Sequence, residues 1–230
     1  MLDYHCHILP FVDDGPADMS EAVALAAELQ RAGFTGIYCT PHLIKGSYDA
    51  DNKTVLKVLG VLQKQLKAES INIQLIPGRE YYMDEYLFDY LDDPLPMGDT
   101  NYIMVEIPNH TPRRFAQEAC FRIKRRGFVP LIAHPERNNR FFPRPASKPA
   151  FIPFIDLMSG ADDLKPKEPL SYLKNIGCAF QANLGSFNGM YGTHARQTAV
   201  SLKERNTYTH YGTDAHSADA LKSIMEGRER

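Results

Sequence analysis

The sequence predicts a single α/β domain built around parallel strands, and two observations support this fold class. Seven short apolar segments recur along the chain and are mostly separated by amphipathic stretches, the alternation of a parallel α/β fold. The 230 residues, 43% of them hydrophobic, supply enough apolar surface for one large core, and no convincing boundary divides residues 1–230. The predicted strands are residues 2–4, 36–39, 71–76, 102–105, 129–132, 178–181 and 207–210.

Helical patterns fill most of the intervals between these strands. Asp18 begins a capping sequence, and the helix that follows it runs to about Gln30 with apolar residues at helical spacing. Residues 139–168 do not follow this alternation of strands and helices, because they contain many prolines. We expect a long loop there with one short helix near 151–158. The other predicted helices are residues 52–68 and 111–126.

Composition excludes several classes of protein. The formal net charge of -2 gives no overall basic field that would point to nucleic acid or an anionic membrane. The N-terminus has no charged and apolar leader, and no apolar run approaches the roughly 20 residues that span a bilayer. We therefore expect a cytoplasmic protein with reduced thiols, since its cysteines form no Cys-x-x-Cys pair. They are Cys6, Cys39, Cys120 and Cys178.

Side chains that bind metals follow six of the seven predicted strands. Because the carboxyl ends of parallel strands meet on one face, these side chains are expected to converge there. His5 and His7 are two residues apart in a predicted extended segment, so both imidazoles point to the same side and can bind one ion. The mixture of imidazole and carboxylate suits manganese, iron or zinc. The candidates are His5, His7, Asp13, Asp14, His42, Glu80, Glu106, His134, Asp214 and His216.

Other features are better explained without metal chemistry. For the remaining histidines, His110, His194 and His210, we favour a structural or surface role. Cys120 and Arg126 have the Cys-x5-Arg spacing of cysteine phosphatases, but no glycine lies between them and the segment has a helical pattern. The basic run 124–126 lies on the same predicted helix, away from the candidate site, which argues against a nuclease.

The motifs resemble those of the bacterial metal-dependent protein-tyrosine phosphatases of the PHP (polymerase and histidinol phosphatase) superfamily, which are encoded with capsular and exopolysaccharide genes. The resemblance runs from residue 1 to about residue 216. It is specific at its motifs and follows their order. The matching segments are residues 1–10, 12–16, 40–42, 77–80, 133–137 and 212–216.

This resemblance implies a distorted (β/α)7 barrel with three divalent ions, often manganese. By motif, the first ion would take His5, His7, Glu80 and Asp214; the second, Glu80, Glu106 and His134; the third, Asp14, His42 and His216. Asp13 is the less certain of the adjacent aspartates. The expected catalytic residues are Arg137, Asp14 and His42.

The implied reaction is hydrolysis of phosphotyrosine by a metal-activated hydroxide, with the tail of a bacterial tyrosine autokinase as the suggested substrate. Arg137 offers a planar fork to phosphoryl oxygens, whereas Arg79 and Arg140 are expected to be structural or on the surface. An aromatic cluster after Glu80 either packs a short helix or forms a wall for the phosphotyrosine ring. Its members are Tyr81, Tyr82, Tyr86, Phe88 and Tyr90.

One departure from the family pattern concerns the C-terminal side of the last motif. Family members usually have an arginine soon after Asp-Ala-His, but here the next one is Arg228. We therefore expect that one phosphate-binding arginine is missing or replaced. Two alternatives stay open: a histidinol-phosphate phosphatase or other small-molecule phosphoesterase of the superfamily, and a non-enzymatic metal-binding module. The sequence leaves open the metal and the oligomeric state.

Overall fold

The computed structural model describes residues 1–139, 142 and 169–226, and within them the chain has an α/β fold with a curled parallel sheet. The predicted helix at 151–158, Arg140 and Arg228 lie outside the described residues. No helix among those described combines the length and apolarity needed to cross a membrane.

The described residues form nine strands, and every strand pairing is parallel. They are arranged as a three-stranded sheet of order β1-β2-β4 and a six-stranded sheet of order β3-β5-β6-β7-β8-β9. The strands are β1 (Leu2–Cys6), β2 (Gly36–Cys39), β3 (His42–Leu43), β4 (Gln74–Pro77), β5 (Glu80–Tyr82), β6 (Tyr102–Glu106), β7 (Val129–Ile132), β8 (Ala179–Asn183) and β9 (His210–Gly212).

The described residues also form eight α-helices, of which the last follows β9, and a 3-10 turn (Pro135–Arg137) follows β7. The Asp18 side chain accepts a hydrogen bond from Glu21 N, which confirms the predicted start of the first helix. The helices are α1 (Met19–Arg31), α2 (Asn52–Ala68), α3 (Leu87–Tyr90), α4 (Arg113–Arg125), α5 (Pro169–Asn175), α6 (Leu184–Phe187), α7 (Gly192–Glu204) and α8 (Ala218–Glu226).

All seven predicted strand segments overlap strands of the structure, but the count of seven is not reproduced directly. Two extra short strands, β3 and β5, each begin three residues after the strand that precedes them along the chain. The sequence predicted His42 and Glu80 just past a strand, whereas in the structure they are the first residues of β3 and β5.

The first and last strands approach each other directly. His5 O accepts a hydrogen bond from Asp214 N at 2.7 Å, and Ala215 O accepts one from His7 N at 3.1 Å. A Cβ atom on Gly212 would lie 2.5 Å from the Cβ of His5, so only glycine allows this approach. The approach brings the ends of β1 and β9 together.

Two apolar clusters lie between the helices and the sheets, and a third lies inside the curl. We call the third cluster the apolar floor. On β6, Tyr102 and Met104 belong to it and Glu106 follows on the same face, because side chains alternate along a strand. Strand β6 thus passes from the floor to a polar residue at its carboxyl end. The buried members of the floor are Tyr38, Met97, Met104, Leu131, Ala133 and Ala179.

Aromatic rings complete the floor. Tyr4 stacks on Tyr38 with ring centroids 4.9 Å apart. His210 meets Tyr4 and Tyr102 edge-on, at 4.5 and 4.8 Å. Burial lowers the pKa of His210, so its neutral ring is favoured, and its structural role agrees with the prediction.

Candidate metal centre

The structure brings all nine predicted metal-binding residues together, at or beyond the carboxyl ends of β1, β2, β4, β6, β7 and β9. Their ligand atoms form four overlapping groups, and within each group the atoms lie within 4.8 Å of one another. We call these nine residues the polar layer. The groups are His7, Asp14, His42 and His216; His5, His7 and Glu80; His5, His134 and Asp214; and His42, Glu80 and Glu106.

Glu80 is the centre of this arrangement. Its Oε2 atom lies 3.3 Å from the Nε2 atoms of both His5 and His7, and 3.0 Å from Nδ1 of His42. Its other oxygen, Oε1, contacts Nε2 of His134 at 2.9 Å. One fully buried carboxylate therefore contacts four histidines from three different segments of the chain.

Asp214, in the segment that follows β9, contacts the same pair of histidines. Its Oδ1 atom is 3.3 Å from Nε2 of His5 and 3.2 Å from Nε2 of His7. Asp214 and His134 both have left-handed backbone, with φ of 55° and 29°. Such backbone is uncommon outside glycine and is often found at functional sites.

The third set lies closest to solvent. Asp14 Oδ1 lies 3.4 Å from Nε2 of His216 and 3.9 Å from Nε2 of His42. The side chain of Asp14 is 45% exposed and that of His216 is 30% exposed, whereas those of His5 and His7 are fully buried. The polar layer therefore has a buried base and an accessible rim.

A cavity of about 320 Å³ opens over this rim. Its volume lies at the lower end of the range for small-molecule sites. Tyr191, which the sequence analysis did not single out, lines it together with predicted residues. The lining residues are Asp14, His42, Glu80, Glu106, His134, Arg137, Tyr191, Asp214 and His216.

The electrostatics of the layer favour positive charge between its carboxylates. Burial alone would lower the pKa of His5, but Glu80 and Asp214 raise it to about 9. Burial alone would raise the pKa of Asp214, but His5, His7 and Arg137 hold it well below its usual range. A hydrogen bond from His216 is the main cause that lowers the pKa of Asp14 to about 2. Burial is the main cause that raises the pKa of Glu106, and the negative charge of Glu80 raises it further.

The donor atoms fit a divalent cation. Nε2 of His5 faces Nε2 of His7 at 3.1 Å, although the Nδ1 atoms of both rings already contact oxygens of other side chains. Glu80 Oε2 and His42 Nδ1 are buried and have no hydrogen-bond partner, even though they are 3.0 Å apart. Buried polar atoms normally have partners, and a cation would supply one to both.

Arg137 lies at one wall of the cavity. Its Nη1 atom donates to Oδ2 of Asp214, and its guanidinium carbon lies 4.3 Å from the centre of the Tyr191 ring. Burial alone would lower the pKa of Arg137, but Asp214 raises it. The guanidinium is therefore a permanent cation held between an aromatic face and a carboxylate.

Other residues considered from the sequence lie away from the polar layer or support it indirectly. Arg79 is fully buried and donates to the backbone oxygens of Ala50 and His42, so its role is structural and it is not on the surface. His194 lies near the start of α7, as predicted. His110 lies in a turn with its ring 6.2 Å from that of Tyr82.

The aromatic cluster after Glu80 is divided by its burial. Tyr81 is fully buried in the core, which agrees with packing. Tyr82 is partly buried near Glu106. Burial is the main cause that raises the pKa of Tyr82, and the charge of Glu106 adds to it. Tyr86 is exposed, and the Nζ atom of Lys45 lies over its ring. Cys120 and Arg126 lie in α4 and at its C-cap, so the helical interpretation of this segment is confirmed.

The model of a family described as capsular polysaccharide synthesis, CpsB/CapC, matches residues 1–147. The chain belongs to this family. The matched range contains all of the polar layer except Asp214 and His216.

Members of the CpsB/CapC family are similar to this chain over nearly its whole length. Tyrosine-protein phosphatase YwqE of Bacillus subtilis is 30% identical over 94% of this chain and 78% of the relative. Tyrosine-protein phosphatase CpsB of Streptococcus agalactiae is 28% identical over 98% of this chain and 86% of the relative. The family resemblance in the sequence motifs is thereby confirmed.

Solved structures agree with this membership. One chain, reported with crystal structures of YwqE from Bacillus subtilis and CpsB from Streptococcus pneumoniae as metal-dependent tyrosine phosphatases, has a TM-score of 0.78 and 29% identity. It covers 98% of this chain, which covers 86% of it. Histidinol phosphate phosphatase from Lactococcus lactis, at a TM-score of 0.54, 16% identity and coverage of 99% and 91%, shares the fold.

Proposed function

We propose that this chain is a metal-dependent protein-tyrosine phosphatase of capsular or exopolysaccharide synthesis. The observation that carries the proposal is the convergence of nine ligand-type side chains around one cavity that also holds the Arg137 guanidinium. The names of the family relatives support the same activity. A relic binding module is not favoured, because no member of the ligand set is missing.

Three divalent ions, most simply Mn²⁺, are proposed for the polar layer. The first would be held by His5, His7, Glu80 and Asp214, the second by Glu80, Glu106 and His134, and the third by Asp14, His42 and His216. Bound ions of this kind lower the pKa of water and neutralise phosphoryl charge. The four buried or partly buried carboxylates compensate most of the ions' charge and leave the cavity positive enough for a phosphate dianion.

The residues of the chain have distinct roles in this proposal. Arg137 would donate its planar N–H groups to the phosphoryl oxygens, a charge-assisted contact that fixes the orientation of the ester. Tyr191 would keep the guanidinium plane facing the cavity through the ring contact described above. Asp14 and His42, at the accessible rim, would hold the third ion beside the reacting phosphoryl group.

The biological setting is proposed from the family. The family description and the names of the relatives support a phosphotyrosine protein as substrate, with the tail of a bacterial tyrosine autokinase as the specific partner. We place this reaction in the cytoplasm. We further propose that the chain is one (β/α)7 domain, in which β2 with β3, and β4 with β5, each fill one strand position.

A substrate panel with controlled metal content tests the function. Protein stripped of metal and then reloaded with Mn²⁺ is assayed on a phosphotyrosine peptide, a phosphoserine peptide and histidinol phosphate. We expect reloading to restore hydrolysis of the phosphotyrosine peptide, with much slower turnover of the other two. Full activity in stripped protein, or preference for histidinol phosphate, would refute the proposal.

A further inference from the structure

Two side chains outside the polar layer contact its histidines in the same pattern. Asp13 Oδ2 accepts from Nδ1 of His7 at 2.7 Å and from the backbone N of His42 at 2.9 Å. Gln181 Oε1 contacts Nδ1 of His5 at 2.9 Å and accepts from the backbone N of His134 at 3.2 Å. Each oxygen thus joins a histidine ring near the end of β1 to the backbone of a histidine on another segment.

These contacts fix which ring nitrogen carries hydrogen. A carboxylate of Asp13 only accepts, so Nδ1 of His7 must be the donor. The amide of Gln181 is oriented by its own Nε2 atom, which donates to the backbone oxygen of Ala182, so its Oε1 atom is the end that faces His5. Both Nε2 atoms are therefore left to face Glu80 and the ions proposed there.

The loop after β1 folds back so that the side chain of Asp13 contacts the ring of His7. Gly15 N donates to Asp13 Oδ1 at 3.0 Å, and a Cβ on Gly15 would lie 2.1 Å from the backbone oxygen of His7. Only glycine permits this close return of the loop. The side chain of Asp13 is fully buried as a result, whereas that of its neighbour Asp14 is 45% exposed. The adjacent aspartates therefore have different surroundings and different partners.

We propose that Asp13 and Gln181 are positioning residues that hold His7 and His5 with Nε2 presented and tie each ring to the histidine of another segment. The ions then meet a ligand set that is already arranged, because ring orientation and backbone position are fixed by the same oxygen. The proposal rests on the proposed function for its metal centre but not for the substrate. Asp13 brings a negative charge to His7, whereas Gln181 brings a neutral dipole to His5.

Metal binding without turnover provides the first test. Mn²⁺ is titrated calorimetrically into the stripped protein, its Asp13→Ala and Gln181→Ala variants, and the milder Asp13→Asn. We expect roughly a 10- to 100-fold loss of affinity for at least one ion in each alanine variant, the usual effect of removing such a partner. Asp13→Asn should lose less, since an amide oxygen still accepts from His7 and from the His42 backbone.

Matched controls come from residues with the same chemistry far from the centre. Gln63 also joins two backbone groups, accepting from Leu75 N and donating to Ile73 O, so Gln63→Ala controls for Gln181→Ala. Asp51 caps α2 through Thr54 N, so Asp51→Ala controls for Asp13→Ala. Both controls should bind Mn²⁺ with the affinity of the parent protein.

A spectroscopic readout separates positioning from a general structural effect. In protein loaded with diamagnetic Zn²⁺, the Nδ1–H protons of His5 and His7 should give protected downfield NMR signals. Asp13→Ala should remove only the signal of His7, and Gln181→Ala only that of His5. Unchanged Mn²⁺ affinity in both alanine variants, or unchanged signals, would overturn the proposal. If Asp13→Ala does not fold, Asp13→Asn provides a weaker comparison, with a smaller loss of Mn²⁺ affinity and a shifted rather than absent His7 signal. A parent protein that binds Mn²⁺ but hydrolyses no phosphotyrosine would overturn the function and leave the positioning intact.

Discussion

The polar layer and the apolar floor share strands β1 and β6, but different forces hold them. In the polar layer, histidines approach Glu80 within 2.9 to 3.3 Å, His216 lies 3.4 Å from Asp14, and two residues have left-handed backbone. In the floor, Met104 and Leu131 are fully buried and aromatic rings stack beside them. Burial of apolar surface stabilises the floor, whereas the polar layer gathers charges that the fold alone does not neutralise.

Chemistry and stability are therefore separated along β6, where Met104 belongs to the floor and Glu106 to the polar layer. A change near the carboxyl ends should impair metal binding and turnover but leave the fold intact. A change two residues earlier on the same face should lower stability and leave the chemistry of the folded molecules intact. Substitutions in the two regions therefore test this separation.

The largest expected effect is on turnover in the polar layer. His134→Asn keeps a residue that tolerates left-handed backbone but shortens the side chain that reaches Glu80. We expect activity on a phosphotyrosine peptide to fall by about a thousandfold or more, equivalent to about 4 kcal/mol. His194→Ala on α7 is the control and should keep full activity. Circular dichroism should show both variants folded; an active His134→Asn variant would contradict the assignment.

The next largest effect is on stability in the floor. Met104→Ala removes a fully buried side chain and should lower the free energy of unfolding by about 2–5 kcal/mol. Met190→Ala, where the side chain is 44% exposed, should change it by less than about 0.5 kcal/mol. Urea unfolding measures both. Activity per folded molecule should be normal in each, and a loss of turnover in folded Met104→Ala protein would remove the distinction between the regions.

A smaller effect is expected for the guanidinium at the rim. Arg137→Lys keeps the charge but loses the planar fork and the contact with Tyr191, so kcat/KM should fall roughly 10- to 100-fold, or about 1.5–3 kcal/mol. Arg125→Ala, at the exposed end of α4, should leave kcat/KM unchanged. Steady-state kinetics on the same peptide provides the measurement, and a fully active lysine variant would show that the fork is not used.

A further effect, on stability rather than on turnover, should appear in its pH dependence. In metal-free protein the pKa of His5 is about 9 instead of 6.5, so its stabilising contribution is complete below pH 6.5 and is lost as the pH rises towards 9. Bound metal reverses the sign, because ligand histidines must be deprotonated to bind. Urea unfolding at pH 6.5 and 9, with chelator or with Mn²⁺, should give opposite slopes; equal slopes would contradict this account.

Much of this arrangement was predictable from the sequence because strand ends and ligand types carry local signals. The strands at 36–39 and 129–132 and the helix at 52–68 match the structure, and the nine predicted residues do converge. The split strands were not predicted, since two residues such as His42 and Leu43 are too few to show a period.

The residues that support the centre were harder to predict for a different reason. Tyr191 reaches the cavity from the start of α7, and no local pattern links it to Arg137. Asp13 was recognised beside Asp14, but adjacency in sequence does not reveal which carboxylate turns inward. A polar glutamine in the apolar strand that contains Gln181 was a usable signal, since buried polar groups need partners.

The contact between Gly212 and His5 has a consequence for biosynthesis. The ribosome releases the first histidines long before the last strand exists, and a growing chain adds roughly 5–20 residues each second. The buried base cannot close until β9 has emerged and Asp214 has reached β1. The first histidines of the nascent protein therefore wait roughly 10–40 s for the residues that complete their surroundings. Metal binding to the complete site must follow the synthesis of β9.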